Sequence, residues 1–297
     1  MKSLELKHKA PRIALVIGSG GVRSASAIGV MRVLQREGLA PQLLVGCSSG
    51  ALIAGVLALG VSVAEATHMV TSAWSQELTQ QRRWRAWLEL ALPRLLHFGP
   101  HFALRKATLI RQRLDEAFGR QHIETLPLAL RVTATDAASG QAVVLGSGPL
   151  AQAIQASMAV PMVFPPVQVG PRLLLDGVLS DPLPVSAAAD ADLVLALGFE
   201  GRLPRRVNHP ARLVTRISTT MINNLMAARL DAARRNGPPI LQLQLALQGP
   251  VGLWQTSALP AMVEAGAQAM QQALPELRRQ LARPAQPSPL AAVAAAA

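Results

Sequence analysis

Residues Ile13 to Leu59 read IALVIGSGGVRSASAIGVMRVLQREGLAPQLLVGCSSGALIAGVLAL. The apolar run Ile13 to Ile17 predicts a buried strand, which runs into a loop carrying Gly18, Gly20 and Gly21. From about Ala25 to Glu37, Ile28, Met31, Val33 and Leu34 fall near one face of a helix that stops at Gly38. A second apolar strand, Leu43 to Val45, meets Gly46-Cys47-Ser48-Ser49-Gly50, and another helix follows. Strand, tight turn and helix with serine at the turn is the order a nucleophile elbow needs. Ser48 is therefore the candidate nucleophile. Gly46 and Gly50, two residues to either side, leave room for the turn.

The glycine loop has three readings. A dinucleotide fingerprint fails because Arg23 stands where its last glycine belongs, and Glu37 falls at a helix end, not a strand tip. A Walker loop fails for want of Gly-Lys-Ser/Thr. The third reading makes the N–H groups of Gly20 and Gly21 donors to a developing oxyanion at a helix start. A plain strand-to-helix turn fits the loop alone equally well. An elbow 28 residues downstream favours the oxyanion reading.

A chain of 297 residues is long enough for one large or two small domains. Half its residues are hydrophobic, 3% are aromatic and tyrosine is absent, so the core is built from Leu, Val, Ala and Met. The single cysteine, Cys47, excludes an internal disulfide framework. A net charge of +12 favours anionic partners. Nucleic acid is disfavoured, because neither stacking aromatics nor a recognition module is in sight. Met1 to Pro11 is basic without the apolar centre of a signal peptide. The longest apolar window, Ala51 to Ala64, falls short of the roughly 20 residues that span a bilayer. These features lead us to expect a cytoplasmic protein, at most peripheral to a membrane.

Residues 65–120 change character. Arg82, Arg83, Arg85, Arg94, Arg105 and Lys106 stand among Trp74, Trp84, Trp87 and several leucines. Such a helical cap suits the headgroup boundary of an anionic membrane, and equally an ordinary cover with a solvated basic face. From Leu128 an α/β rhythm returns. A hairpin is expected around Asp136–Gly140, a helix over Leu150 to Ser157, and strands at Arg172 to Leu175 and Asp192 to Gly198. Further on we expect a strand at Arg212 to Ser218, a helix from about Thr220 to Arg235, and a strand at Ile240 to Leu247. A final helix covers roughly Leu259 to Leu281. The expected organisation is a flexible 1–11, one domain over 12–282, and a disordered Pro- and Ala-rich 283–297.

Ser48 needs a base. Five of the six histidines, His8, His68, His97, His101 and His122, lie in basic or helical surroundings. His209 is the exception, since Ser48, Asp176 and His209 follow the chain order of an α/β-hydrolase triad. Only one clear strand precedes the elbow strand, fewer than that fold requires. A carboxylate can serve directly if burial tunes it. Asp176, at the exit of an apolar strand with Gly177 behind it, is the best placed; Asp181 is its rival and Asp136 reads as a hairpin-turn residue.

With these pieces in place the chain resembles the bacterial patatin-like phospholipases. Four blocks carry the resemblance: Gly18 to Arg23, Gly46 to Gly50, Ala156-Ser157-Met158-Ala159-Val160-Pro161 to Pro166, and Asp176-Gly177-Val178. It implies an α/β three-layer sandwich with a mostly parallel central sheet, and a lipid acyl hydrolase acting through a Ser48–Asp176 dyad. It also implies an oxyanion loop holding Arg23, a lipid ester substrate, and neither metal nor cofactor. Ser24 and Val178 depart from the family pattern, which has glycine at the first position and Gly or Ala at the second. The alternatives are a silent lipid- or partner-binding protein and a Ser48–Asp176–His209 esterase. Oligomeric state is left open.

Overall fold

The computed structural model describes residues 11–95, 99–247, 249 and 251–282. The expected flexible N-terminus up to residue 10, residues 96–98 of the cap and the tail from 283 lie outside the described residues. The chain opens with β1 (Ile13–Ile17), α1 (Ser26–Arg36), β2 (Leu43–Cys47) and α2 (Ser49–Ala58). Three helices follow, α3 (Val63–Ala73), α4 (Trp84–Ala91) and α5 (Thr108–Phe118). Next come β3 (Ala129–Asp136), β4 (Ala142–Leu145), α6 (Leu150–Ser157), β5 (Val167–Val169) and β6 (Arg172–Asp176). The chain finishes with β7 (Leu193–Leu197), α7 (Pro210–Asn236), β8 (Ile240–Gln242) and α8 (Leu259–Leu281).

The strands form one sheet in the order β5-β6-β3-β2-β1-β7-β8, with β4 also paired to β3. Strands β3, β2, β1, β7 and β8 run parallel, whereas β4, β5 and β6 pair antiparallel. The central strands are wholly buried, as the continuous apolar runs require of strands covered on both faces. Alternation splits them cleanly. Ile13, Leu15 and Ile17 join the core under α1, α2 and α8, while Ala14 and Val16 face Met226 and Leu230 of α7. The result is a three-layer α/β sandwich with a mostly parallel sheet, as the sequence led us to expect.

Helices α1 and α8 cross closely. A Cβ on Gly29 would strike Val263 and Ala267 backbone, and one on Gly266 would strike Ser26 backbone. The cap is only partly a cap. Ala66, Val70, Ile110 and Leu114 of α3 and α5 belong to the main core, so α4 and its flanks are what stand outside it. No helix among the described residues is long and apolar enough to cross a membrane.

Two expectations fail. Arg212 to Ser218 is not a strand but part of the 27-residue α7, and the strand at Ile240 ends at Gln242. The stretch is rich in β-branched residues, yet Leu213, Ile217 and Met221 recur at helical spacing and Pro210 opens the helix. Thr215 and Thr220 fit the helix by donating their hydroxyls to Ala211 O and Arg216 O, both at 2.9 Å.

Candidate functional site

Ser48 follows the last residue of β2 and precedes the first of α2. Its backbone sits at φ 56°, ψ −124°, a region that side chains other than hydrogen strongly disfavour. Several contacts over-determine it. Ser48 N–H donates to Ser157 Oγ at 2.7 Å, and that hydroxyl in turn donates to Thr133 O at 2.6 Å. Ser48 O accepts from Ala51 N at 2.9 Å. Gly50 lies against the Ile17 and Gly18 carbonyls, where a Cβ has no room, and Gly46 is pressed against Ala51 in the same way. The two glycines flanking the elbow are thus required by close approach of backbone.

Asp176 arrives from the opposite direction. It ends β6, which runs antiparallel to β3, and register places Asp176 beside Ala134 while Cys47 stands beside Thr133. Ser48, one residue past Cys47, therefore comes level with Asp176 across the intervening β3. Ser48 Oγ donates to Asp176 Oδ2 at 2.7 Å, and Val178 N donates to Asp176 Oδ1 at 2.8 Å. Asp176 is 0% exposed and Ser48 9%. Burial raises the Asp176 pKa from 3.8 to about 7, against the lowering pull of the Val178 amide and the Ser48 hydroxyl. Gly177 packs against Thr133 O and Cys47 Sγ, which keeps the turn after Asp176 tight. Cys47 itself is buried, and burial followed by the nearby Asp176 charge pushes its thiol pKa well up, so it is an inert packing residue.

The rival groups lie elsewhere. Asp181 Oδ2 accepts from Ser186 Oγ at 3.2 Å, its Oδ1 has no hydrogen-bond partner among the described residues, and burial raises its pKa to about 6. Asp136 Oδ1 accepts from Ala138 N and Ser139 N, as a hairpin turn requires. His209 is exposed immediately before α7 and makes no hydrogen bond to Ser48 or Asp176.

The glycine loop lies against the elbow, but its amides are not open. Gly20 N–H and Gly21 N–H both donate to Ser49 Oγ, at 3.2 and 2.8 Å. Ser24 Oγ lies 2.9 Å from Ser49 Oγ and donates to Gly18 O at 3.2 Å. With Ser49 donating to Ser24, every hydroxyl in this buried chain is satisfied. Ser24, the departure from the family pattern, is thereby absorbed into the loop's own support. Arg23 points along the loop: Nε donates to Gly20 O at 3.1 Å, Nη1 to Glu200 O at 2.8 Å, and the guanidinium lies 5.6 Å over the Phe199 ring. Ser49 and Ser157 are the supporting residues that sequence reasoning passed over. Ser157 sits within one of the resembling blocks; nothing in the sequence marks Ser49 beyond its place after Ser48.

The family model described as "Patatin-like phospholipase" matches residues 15–189. An "Uncharacterized NTE family protein" of Mycobacterium tuberculosis is 37% identical over 193 residues, 64% of this chain and 50% of its own length. Another from the same organism is 27% identical over 292 residues, 90% of this chain and 48% of its own. "Lysophospholipase NTE1" of Coccidioides immitis is 27% identical over 62% of this chain and 11% of its own. The chain thus spans about half the length of its mycobacterial relatives. The solved structure of VipD from Legionella pneumophila aligns at TM-score 0.48 and 14% identity, covering 90% of this chain and 67% of that one. With the family model matching more than half of its residues, and both the elbow and Asp176 inside the match, this chain belongs to the patatin-like phospholipase family.

Proposed function

We propose that the chain is a lipid acyl hydrolase in which Ser48 is the nucleophile and Asp176 the base. The observation that carries this reading is the 2.7 Å hydrogen bond from Ser48 Oγ to a buried Asp176 whose second oxygen is already held by the Val178 amide. Asp176 takes the proton as Ser48 Oγ attacks the ester carbonyl, then passes it to the departing alcohol. That leaves an acyl group on Ser48. Asp176 next deprotonates a water that attacks the acyl carbon, freeing the fatty acid and returning the proton to Ser48.

The oxyanion is received between the glycine loop and the start of α2. Gly20 N–H makes the longer of the two bonds to Ser49 and turns to the substrate oxygen when it arrives; beside it stand the amides of Ser49 and Gly50, the first two of α2, whereas those of Ala51 and Leu52 already donate to Ser48 O. Gly21 and Arg23 hold that loop in place. The relative named as a lysophospholipase supports a lipid ester as the substrate class. Fatty-acid release from phospholipid, lysophospholipid and triacylglycerol dispersions tests this reading, with Ser48→Ala as the control. Release from at least one lipid class, lost in the control, is expected. No release from any class, or release that Ser48→Ala retains, contradicts it.

A further inference from the structure

The first half of α7 sends no side chain into the core. No side chain from Pro210 to Leu225 is buried, and Met226 and Leu230 are the first to reach the core. Leu213, Val214, Ile217 and Met221 form one apolar stripe in the open, with Ile217 51% and Met221 65% exposed. Arginines surround it. Arg205, Arg206 and Arg212 line an open cavity of about 650 Å³, and between Glu200 and Asp231 the sequence holds six arginines and no acid. Among the described residues no carboxylate lies in ion-pair range of Arg205, Arg206, Arg212 or Arg216.

This arm is fixed to the site. Asn223 brackets Gly201, accepting from its N–H and donating to its carbonyl, both at 2.9 Å. The neighbouring Glu200 O holds Arg23 of the glycine loop, and Arg229 Nε donates to Ser180 O in the turn after Asp176. At 1.5 Å per residue, the helix from Asn223 back to Pro210 reaches roughly 20 Å beyond that attachment. In α4, Trp84 (73% exposed), Trp87 and Leu88 form a second open apolar patch beside the exposed Arg85, which pairs loosely with Glu89. Arg83 N–H ties α4 to Leu104 O, and Leu104 N–H ties that segment to Met162 O, a few residues after the Ser157 that holds Ser48.

We propose that the outer half of α7, with α4 as a second contact, docks the protein on an anionic phospholipid bilayer. The apolar stripes enter the acyl boundary and the unpaired arginines lie against lipid phosphates. Charge complementarity selects this occupant. An apolar stripe alone would suit a second copy or a protein groove, but +12 overall and an arm without one acid disfavour a second copy and match an anionic surface. The inference deepens the hydrolase reading, since docking here brings lipid esters to the Ser48 side; docking itself does not require turnover.

Co-sedimentation of the 297-residue chain carrying Ser48→Ala with phosphatidylcholine vesicles, with and without phosphatidylglycerol, tests it. The protein is expected to bind the anionic vesicles, to leave the neutral ones, and to lose binding about tenfold in Ile217→Ser/Met221→Ser and in Arg212→Gln/Arg216→Gln. In the otherwise wild-type chain, the same pairs are expected to keep turnover of a water-soluble short-chain ester and lose turnover on anionic vesicles. Equal binding by parent and variants, or binding to neither vesicle, overturns the proposal. So does a wild-type dimer that the apolar variant dissolves into monomers, which would assign the face to a second copy. Vesicle binding with no hydrolysis of any ester would instead overturn the hydrolase reading and leave docking standing.

Discussion

Asp176 is asked to do two opposed things, to be fully buried and to hold negative charge beside Ser48. The conflict shows as a pKa near 7, and it sets the pH behaviour. If Asp176 is the base, as proposed, it must be deprotonated, so ester turnover is expected to climb with pH through a midpoint near 7, measurable as an acid limb in kcat/KM. Stability runs the other way. A carboxyl whose folded-state pKa lies above its unfolded value binds more protons when folded. Its contribution is fully present below about 3.8 and is lost as pH rises to about 7. Asp181, raised to about 6, acts in the same sense. Asp176→Asn is accordingly expected to raise Tm by several degrees at pH 8, with little change at pH 4, while lowering kcat by roughly 10²–10⁴-fold. Unchanged Tm at pH 8 would mean the carboxylate is not strained by burial. Ser157 allows a second residue-scale test. Its hydroxyl links the Ser48 amide to Thr133 O, so Ser157→Ala leaves a buried donor unpaired and is expected to cost about 1–3 kcal/mol in chemical denaturation. At this scale the two hydrogen-bonded candidates, Ser48 and Asp176, are legible in the sequence, because an elbow and a strand-exit aspartate are patterns of chain order. The Ser49–Ser24 chain is not, because a hydroxyl's partner is set by three-dimensional packing.

Elements were legible where their burial is uniform. The wholly buried β1, β2 and β7 betray themselves as short apolar runs, and α8 spans Leu259–Leu281, as its pattern predicts. Reading failed where an element is not packed. The first half of α7 has no core face, so its β-branched residues misdirect, and helical spacing there serves the solvent side. β8 stops at Gln242 where three residues suffice to pair with β7. The close crossing of α1 and α8 yields its own prediction. Gly266→Val forces branched carbon into the Ser26 backbone, so the helices must separate, and overpacking of this kind typically costs about 1–3 kcal/mol. Urea denaturation should show that loss, whereas a similar change at the open Gly146 should show little.

At the scale of the molecule, most of the chain is a scaffold that brings two strand ends together. The sandwich buries the sheet on both faces and leaves the Ser48 turn, the glycine loop and the Asp176 turn meeting around the end of β2. What is not scaffold is basic and apolar, namely α4 and the outer half of α7. If those surfaces meet anionic lipid, turnover on anionic vesicles should fall steeply between 50 mM and 500 mM salt, while turnover of a soluble ester should hardly change. Equal salt sensitivity for both substrates would place the effect in the active site. The proposed chemistry needs only a serine activated by an aspartate, with no histidine. Fluorophosphonate labelling followed by peptide mass spectrometry reads it directly in wild type, Asp176→Asn and His209→Ala. Label is expected on Ser48 in wild type and undiminished in His209→Ala, with Asp176→Asn labelled at least a hundredfold more slowly. Label on another residue, or loss of labelling in His209→Ala, would contradict it.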